Sequence, residues 1–246
     1  MYVQAIGEGR PLIFVHGWRL SGETERADYE PVLANRRGWH RLYPDLPGMG
    51  RSPAEPWIRR KADFLEALIH QIDDLIGDAP FAVAGTSSGA ELAQATAHRM
   101  QGRARGLLMR VPMLIGDDAA RVVAPADAAA ALPRSYHQAR RDKLEQLWEP
   151  ARRTADDQFL EPIRADPRRY TLDGISTSTP LTIPVLVIVG RQDTRVGFEQ
   201  AWRLAQSYPR ATFALLDRAG HELPTGNPQL FQALVNDWLD RVEEDW

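Results

Sequence analysis

The chain has 246 residues, 43% of them hydrophobic and 26% charged, with a formal net charge of -3. That length suits one large domain, or one domain with an insertion, and is enough to bury a substantial core. The near-neutral balance argues against nucleic acid or an anionic membrane as the main partner, and no apolar run approaches the ~18 residues of a membrane span. With no cysteine there are no disulfides, thiolate metal sites or cysteine nucleophiles. The first residues show no charged segment followed by an apolar one, so the expected location is the cytoplasm. Of the 30 basic residues only Lys61 and Lys143 are lysine, a bias toward arginine that folding does not require.

In chain order, Leu12-Ile13-Phe14-Val15 is a continuous apolar run and predicts a strand buried on both faces. A short strand is expected over 39–43, ended by Pro44. Residues 58–77 carry Phe64, Leu65, Leu68, Ile69, Ile72, Leu75 and Ile76 at helical spacing, with Gly77 as the stop. A third buried strand is expected over 81–84, an alanine-rich helix over 90–100 and a fourth strand over 107–111. From 112 to 180 the strand signal disappears, and short helices with isolated aromatics are expected. The rhythm returns with a strand over 184–190, a helix over 197–207, a strand over 212–216 and a last helix over 228–242. Alternating strands and helices predict an α/β fold, a mostly parallel twisted sheet with helices on both faces. The division expected is a core of residues 1–111 and 181–246 and a small helical cap over 112–180.

Gly85-Thr86-Ser87-Ser88-Gly89 fits G-x-S-x-G and falls between a predicted strand and a predicted helix. A nucleophile on so sharp a turn needs small neighbours two residues away on each side, which Gly85 and Gly89 supply. The same turn would set the Ser88 N–H at a helix start, where negative charge is favoured. Ser88 is the rival nucleophile, but Thr86 and Ala90 are poorer flanks. A serine hydroxyl needs a base. Of six histidines, His221 follows the last strand and sits at the carboxyl edge of the sheet, where catalytic groups gather. His16, His40, His70, His98 and His137 are expected to be structural or solvated. Asp193, three residues past the strand ending at Gly190, is the acid to orient that base. An acid just after the 107–111 strand is rejected, because Pro112 and Met113 occupy that place and no carboxylate precedes Asp117. The second oxyanion donor expected is the N–H of Trp18, after His16-Gly17.

His16-Gly17, Asp45-Leu46-Pro47-Gly48-Met49-Gly50-Arg51-Ser52, the Ser87 turn, Gly190-Arg191-Gln192-Asp193 and Gly220-His221 together resemble the successive signatures of the α/β-hydrolase superfamily. The resemblance covers all but the cap. It implies a Ser–Asp–His serine hydrolase with a helical lid, and it makes the Asp45–Ser52 stretch a structural loop. The serine excludes the aspartate-nucleophile members. Carbon–carbon hydrolases of ring-cleavage diketo acids usually have Asn and Trp where Thr86 and Glu222 stand, and proline iminopeptidases carry Trp-Gly-Gly after the nucleophile. The His-Gly-Trp start is similar to cofactor-free haloperoxidases and perhydrolases, whose other signatures are weaker here. The reading is a carboxylic ester (or lactone or thioester) hydrolase acting on a small molecule through an acyl-enzyme. The alternatives are a carbon–carbon hydrolase, a perhydrolase-like enzyme and a non-catalytic binding homologue. No metal or organic cofactor is implied, and the expected state is a monomer or homodimer.

Met113, Tyr136, Trp148 and Phe159 are the expected apolar walls of the pocket, with Trp18, Glu91 and Glu222 as further residues facing it. Between Arg110 and Asp173 eleven basic residues stand against eleven acidic ones. That balance gives no support to an arginine-lined pocket for an anionic substrate.

Overall fold

A computed structural model describes residues 1–114, 123–172 and 181–246. Seven strands form one sheet: β1 (Val3–Ile6), β2 (Arg10–Val15), β3 (Trp39–Pro44), β4 (Phe81–Thr86), β5 (Ala104–Arg110), β6 (Val185–Gly190) and β7 (Ala211–Leu216). Their order is β1-β3-β2-β4-β5-β6-β7. All pairings are parallel except β1 with β3 at the edge. This is the fold class expected.

The helices of the sheet layers are α1 (Gly22–Leu33), α2 (Lys61–Ile76), α3 (Ser88–Arg99), α7 (Glu199–Ala205) and α8 (Pro228–Glu244). Successive strand residues point to opposite faces, and the two halves of the core follow that rule. Ile13, Val15, Val83, Leu107, Met109, Val187 and Val189 pack with Phe64, Leu68 and Ala93 under α2 and α3. Leu12, Phe14, Ala84, Leu108, Leu186 and Ile188 pack with Tyr29, Phe231 and Trp238 under α1 and α8. Both faces are covered, which explains why the central strands read as continuous apolar runs rather than alternating ones.

Between β5 and β6 the described residues contain no strand. They form α4 (Arg134–Lys143), a π turn (Leu144–Trp148), α5 (Glu149–Arg153) and α6 (Asp157–Arg164). Asp117, and the segments 115–122 and 173–180 of the expected cap, lie outside the described residues.

Two elements had no sequence signal. β1 is a four-residue edge strand. α1 has no apolar stripe and contains Pro31; it turns Glu25 and Tyr29 inward. Its first residue must be small, because a Cβ on Gly22 would sit 2.6 Å from the Tyr43 carbonyl oxygen. Glu25 meets Arg110 of β5 at 2.9 Å, and both are almost fully buried. Arg110 also reaches Asp28 at 2.5 Å, Thr86 Oγ1 at 2.9 Å and the Leu223 carbonyl at 3.0 Å. Burial pushes the Glu25 pKa up even against the attraction of Arg110.

Candidate active site

Ser87 stands between β4 and α3 with φ 56° and ψ -118°, a strained conformation for a residue with a side chain. The strain is held by packing on every side. A Cβ on Gly85 would lie 2.3 Å from the Gly89 carbonyl oxygen, and one on Gly89 would lie 2.3 Å from that of Val15. The Ser87 N–H donates to the Arg110 carbonyl at 2.9 Å, and the Ser87 carbonyl accepts from Met113 N–H at 3.1 Å. The turn is therefore sewn to both neighbouring strands, and only the hydroxyl is free to face outward.

His221 Nε2 lies 3.1 Å from Ser87 Oγ, and its Nδ1 lies 2.8 Å from Asp193 Oδ2. A carboxylate facing Nδ1 selects the tautomer with the proton there, which leaves the Nε2 lone pair for the serine proton. The other Asp193 oxygen accepts from the N–H groups of Arg195 (2.7 Å) and Val196 (3.0 Å). Burial by itself would raise the Asp193 pKa. The His221 hydrogen bond and charge, with the two backbone N–H donors, outweigh it and hold the carboxyl below its ordinary value. The three residues come from three different strand ends and are buried to 6%, 7% and 0% exposure for Ser87, His221 and Asp193. Such burial keeps the hydrogen bonds out of competition with water.

Trp18 and Ser88, the expected oxyanion donors, both lie beside Ser87 at the cavity end of the sheet. Ser88 is the first residue of α3, and a helix's first N–H groups have no partner within it. Trp18 lies in the turn closed by Leu20 N–H on the Gly17 carbonyl at 3.1 Å. Among the described residues neither N–H has a hydrogen-bond acceptor. His16 is fully buried beside them. Its Nδ1–H donates to the Gly17 carbonyl at 2.8 Å and its Nε2 accepts from Leu46 N–H at 2.9 Å. It pins the Trp18 turn to the next loop, and desolvation pushes its pKa down. Asp45 does the same for that loop: its carboxylate accepts from Gly22 N–H and Arg51 N–H, and Ser52 Oγ donates to its carbonyl.

A cavity of about 570 Å³ opens over Ser87 and His221, lined also by Gly17, Trp18, Leu20, Thr86, Met113, Trp148 and Tyr170. Met113 and Trp148 thus line it, the latter edge-on to the His221 ring at 6.3 Å. Tyr136 and Phe159, expected as walls, do not. Phe159 packs on Gly48 and on Phe64 (6.0 Å between rings), as an anchor between α6 and the core. Tyr136 lies against Gly220 and lines a separate hollow with Arg218 and Thr225. Both aromatics seat the segment between β5 and β6 on the rest of the chain, a role that an isolated aromatic in a sequence does not distinguish from a pocket wall. Glu91 and Glu222 are also spoken for. Glu91 pairs with buried Lys61, and Glu222 accepts from Arg140 at 2.9 Å. Four lining residues had no sequence signal: Arg19, Arg152, Arg164 and Arg195. Among the described residues no cluster of three or more His, Cys, Asp and Glu could hold a metal ion, and no helix is long and apolar enough to cross a membrane.

Residues 12–234 match the model of the alpha/beta hydrolase family. A pimeloyl-[acyl-carrier protein] methyl ester esterase of Legionella pneumophila is 23% identical over 95% of this chain and 96% of its own. A 2-hydroxy-6-oxo-2,4-heptadienoate hydrolase of Pseudomonas putida is 25% identical over 95% of this chain and 90% of its own. Among solved structures, an alpha/beta superfamily hydrolase of Oenococcus oeni superposes with a TM-score of 0.84 at 26% identity, covering 98% of this chain and 96% of that one. A thermophilic esterase of Thermogutta terrifontis gives 0.71 at 22% identity, covering 98% and 93%.

Proposed function

The chain belongs to the alpha/beta hydrolase family and is a hydrolytic enzyme, and from that premise we propose that it is a serine esterase of small-molecule carboxylic esters. The observation that carries the reading is the unbroken Ser87–His221–Asp193 hydrogen-bond chain at 3.1 and 2.8 Å on the floor of the cavity. In this mechanism His221 Nε2 takes the Ser87 proton as Oγ attacks the acyl carbon. The negative oxygen that forms is held by the N–H groups of Trp18 and Ser88. His221 then gives the proton to the departing alcohol. Water, deprotonated by His221, attacks the acyl-enzyme and releases the acid. Asp193 holds the ring and stabilises the imidazolium in both halves. Glycines at 85 and 89 contribute by letting the strained turn exist. The described helices between β5 and β6, which bring Trp148, Arg152 and Arg164 to the cavity, serve as a lid above the serine. Both esterases and carbon–carbon hydrolases stand among the relatives; Thr86 and Glu222, where the carbon–carbon hydrolases usually have Asn and Trp, favour the ester.

The test is labelling and turnover. Wild-type protein should react with a fluorophosphonate probe and hydrolyse short p-nitrophenyl esters. Ser87→Ala should lose both, by roughly 10⁶ in turnover. Ser88→Ala should still be labelled, since its backbone N–H remains. Labelling of Ser87→Ala at the wild-type rate would sink the assignment. A panel of simple esters, lactones and ring-cleavage diketo acids then decides the bond cleaved.

A further inference from the structure

Four guanidinium side chains, Arg19, Arg152, Arg164 and Arg195, line the cavity that holds Ser87 and His221, and among the described residues no Asp or Glu lines it with them. Only Arg19 is paired, through Nη2 to Asp157 at 2.7 Å, and its Nε is buried without a hydrogen-bond partner. Arg152, Arg164 and Arg195 make no ion pair among the described residues; they are held by aromatic rings instead. Arg152 and Arg195 flank Trp148, at 5.3 and 5.8 Å from its ring, and Arg164 lies 4.4 Å from the Tyr170 ring. Trp148 in turn stands against His221. The cations oppose one another: burial lowers the Arg152 pKa, the charges of Arg195 and Arg19 lower it further, and the charges of Glu222 and Glu149 offset this only in part. Gathering like charges in a half-enclosed space is unfavourable, while the arginines elsewhere on the chain are mostly matched to carboxylates. The stacked geometry keeps each guanidinium fork free to meet a planar anion with two parallel hydrogen bonds.

We propose that the substrate carries a carboxylate besides its ester, as a half-ester of a small dicarboxylic acid does, and that Arg152 and Arg195 hold that carboxylate above the Ser87 hydroxyl. The proposal rests on the serine-esterase reading for the cleaved bond, but the binding part is separable from it. Arg19 and Arg164, which line the same cavity, add to the attraction. A volume of about 570 Å³ accommodates an acid of this size. Neutral esters lack the group that the four cations are arranged to meet, so they should react in the same site with less binding energy.

Two measurements decide it. The first uses Ser87→Ala, which cannot turn over, titrated calorimetrically with monomethyl succinate, glutarate and adipate and with the matching dimethyl esters. At least one half-ester should bind at least tenfold more tightly than its diester, and raising the salt concentration should shrink the gap. Arg152→Gln and Arg195→Gln, each placed in that background, should weaken the half-ester by roughly 10- to 100-fold, the range for losing a hydrogen bond to a charged group. Arg203→Gln, on exposed α7, is the control and should leave the gap in place. The second measurement is the ratio of kcat/KM for the half-ester to that for the diester in the active enzyme. It should fall in Arg152→Gln mainly through KM, and fall further in Arg152→Glu. Equal binding of half-ester and diester would overturn the proposal while fluorophosphonate labelling of Ser87 left the esterase reading standing. Equal losses on both esters in Arg152→Gln would also overturn it, reducing the arginine to packing on Trp148. Loss of labelling with the half-ester preference intact would instead remove the esterase reading and keep the carboxylate site.

Discussion

The cavity has two walls built on different principles. The sheet-edge wall, with Ser87, His221, Ser88 and Trp18, is set by backbone. Its residues are neighbours of strand ends, its glycines touch carbonyl oxygens, and its hydrogen bonds run to main-chain groups. The opposite wall, with Trp148, Arg152, Arg164 and Tyr170, is set by side chains from the segment inserted between β5 and β6, joined by Arg19 and Arg195 from core loops. In the reading proposed above, the first wall breaks the bond and the second meets what is attached to it. The contrast explains why one could be read from sequence and the other could not. A nucleophile on a strained turn imposes a local rule, small residues at fixed offsets, so Gly85, Ser87 and Gly89 announce themselves. His221 and Asp193 are announced by their place after strands. Nothing local marks an arginine as facing a cavity.

Charge counting failed for the same reason. The segment between Arg110 and Asp173 balances its charges, yet none of its described carboxylates lines the cavity. Asp142 accepts from Gln138, and Asp157 meets only Arg19. Glu222, from the His221 loop, is taken by Arg140. What remains over Ser87 is cationic. Likewise α1 escaped notice because its useful face is acidic: Glu25 and Asp28 are buried to receive Arg110 and Lys143. The only two lysines in the chain, Lys61 and Lys143, are both buried and paired. An apolar stripe finds a helix that packs by hydrophobicity, but it misses one that packs by charge.

The largest effect expected after removal of the serine itself is on the sheet-edge wall. Asp193→Asn keeps the shape but offers His221 the wrong partner, and should lower kcat about 10⁴-fold with the protein still folded. A fall under tenfold would mean that His221 is oriented by something else. Next comes the support beneath that wall. Arg110→Met leaves Glu25 buried without its partner, at 1% exposure, and should cost about 3–5 kcal/mol in chemical denaturation, as breaking a buried pair from one side does. A loss below 1 kcal/mol would show that Lys143 can compensate for both carboxylates. A smaller effect is expected where the cap segment is seated. Phe159→Leu trims the contact with Phe64 and Gly48 without touching the cavity lining, and should cost about 1 kcal/mol, or 2–4 °C in Tm. A changed ester-length preference in that variant would return Phe159 to the pocket wall.

The smallest effect, and the one that joins the two walls, concerns α4. Arg140 holds Glu222, and Lys143 donates to the Leu223 carbonyl at 3.0 Å, so one helix grips the loop that carries His221. Burial acts to raise the Glu222 pKa, but the hydrogen bond and charge of Arg140, with the charges of His221 and Arg195, bring it below its ordinary value. A carboxyl depressed by folding contributes stability that is complete above its unfolded pKa of about 4.3 and is lost as the pH falls through the folded value. Glu222→Gln removes that contribution. The variant should therefore melt below wild type at pH 7, and the difference should close as the pH falls through the depressed folded value, where wild-type Glu222 takes up its proton as well. Because the grip reaches the His221 loop, the same variant should lose some turnover at pH 7 along with its stability. A melting difference that stays constant from pH 7 to pH 3 would mean that Glu222 acts through shape alone, and that the cap wall is fastened to the catalytic loop by packing rather than by charge.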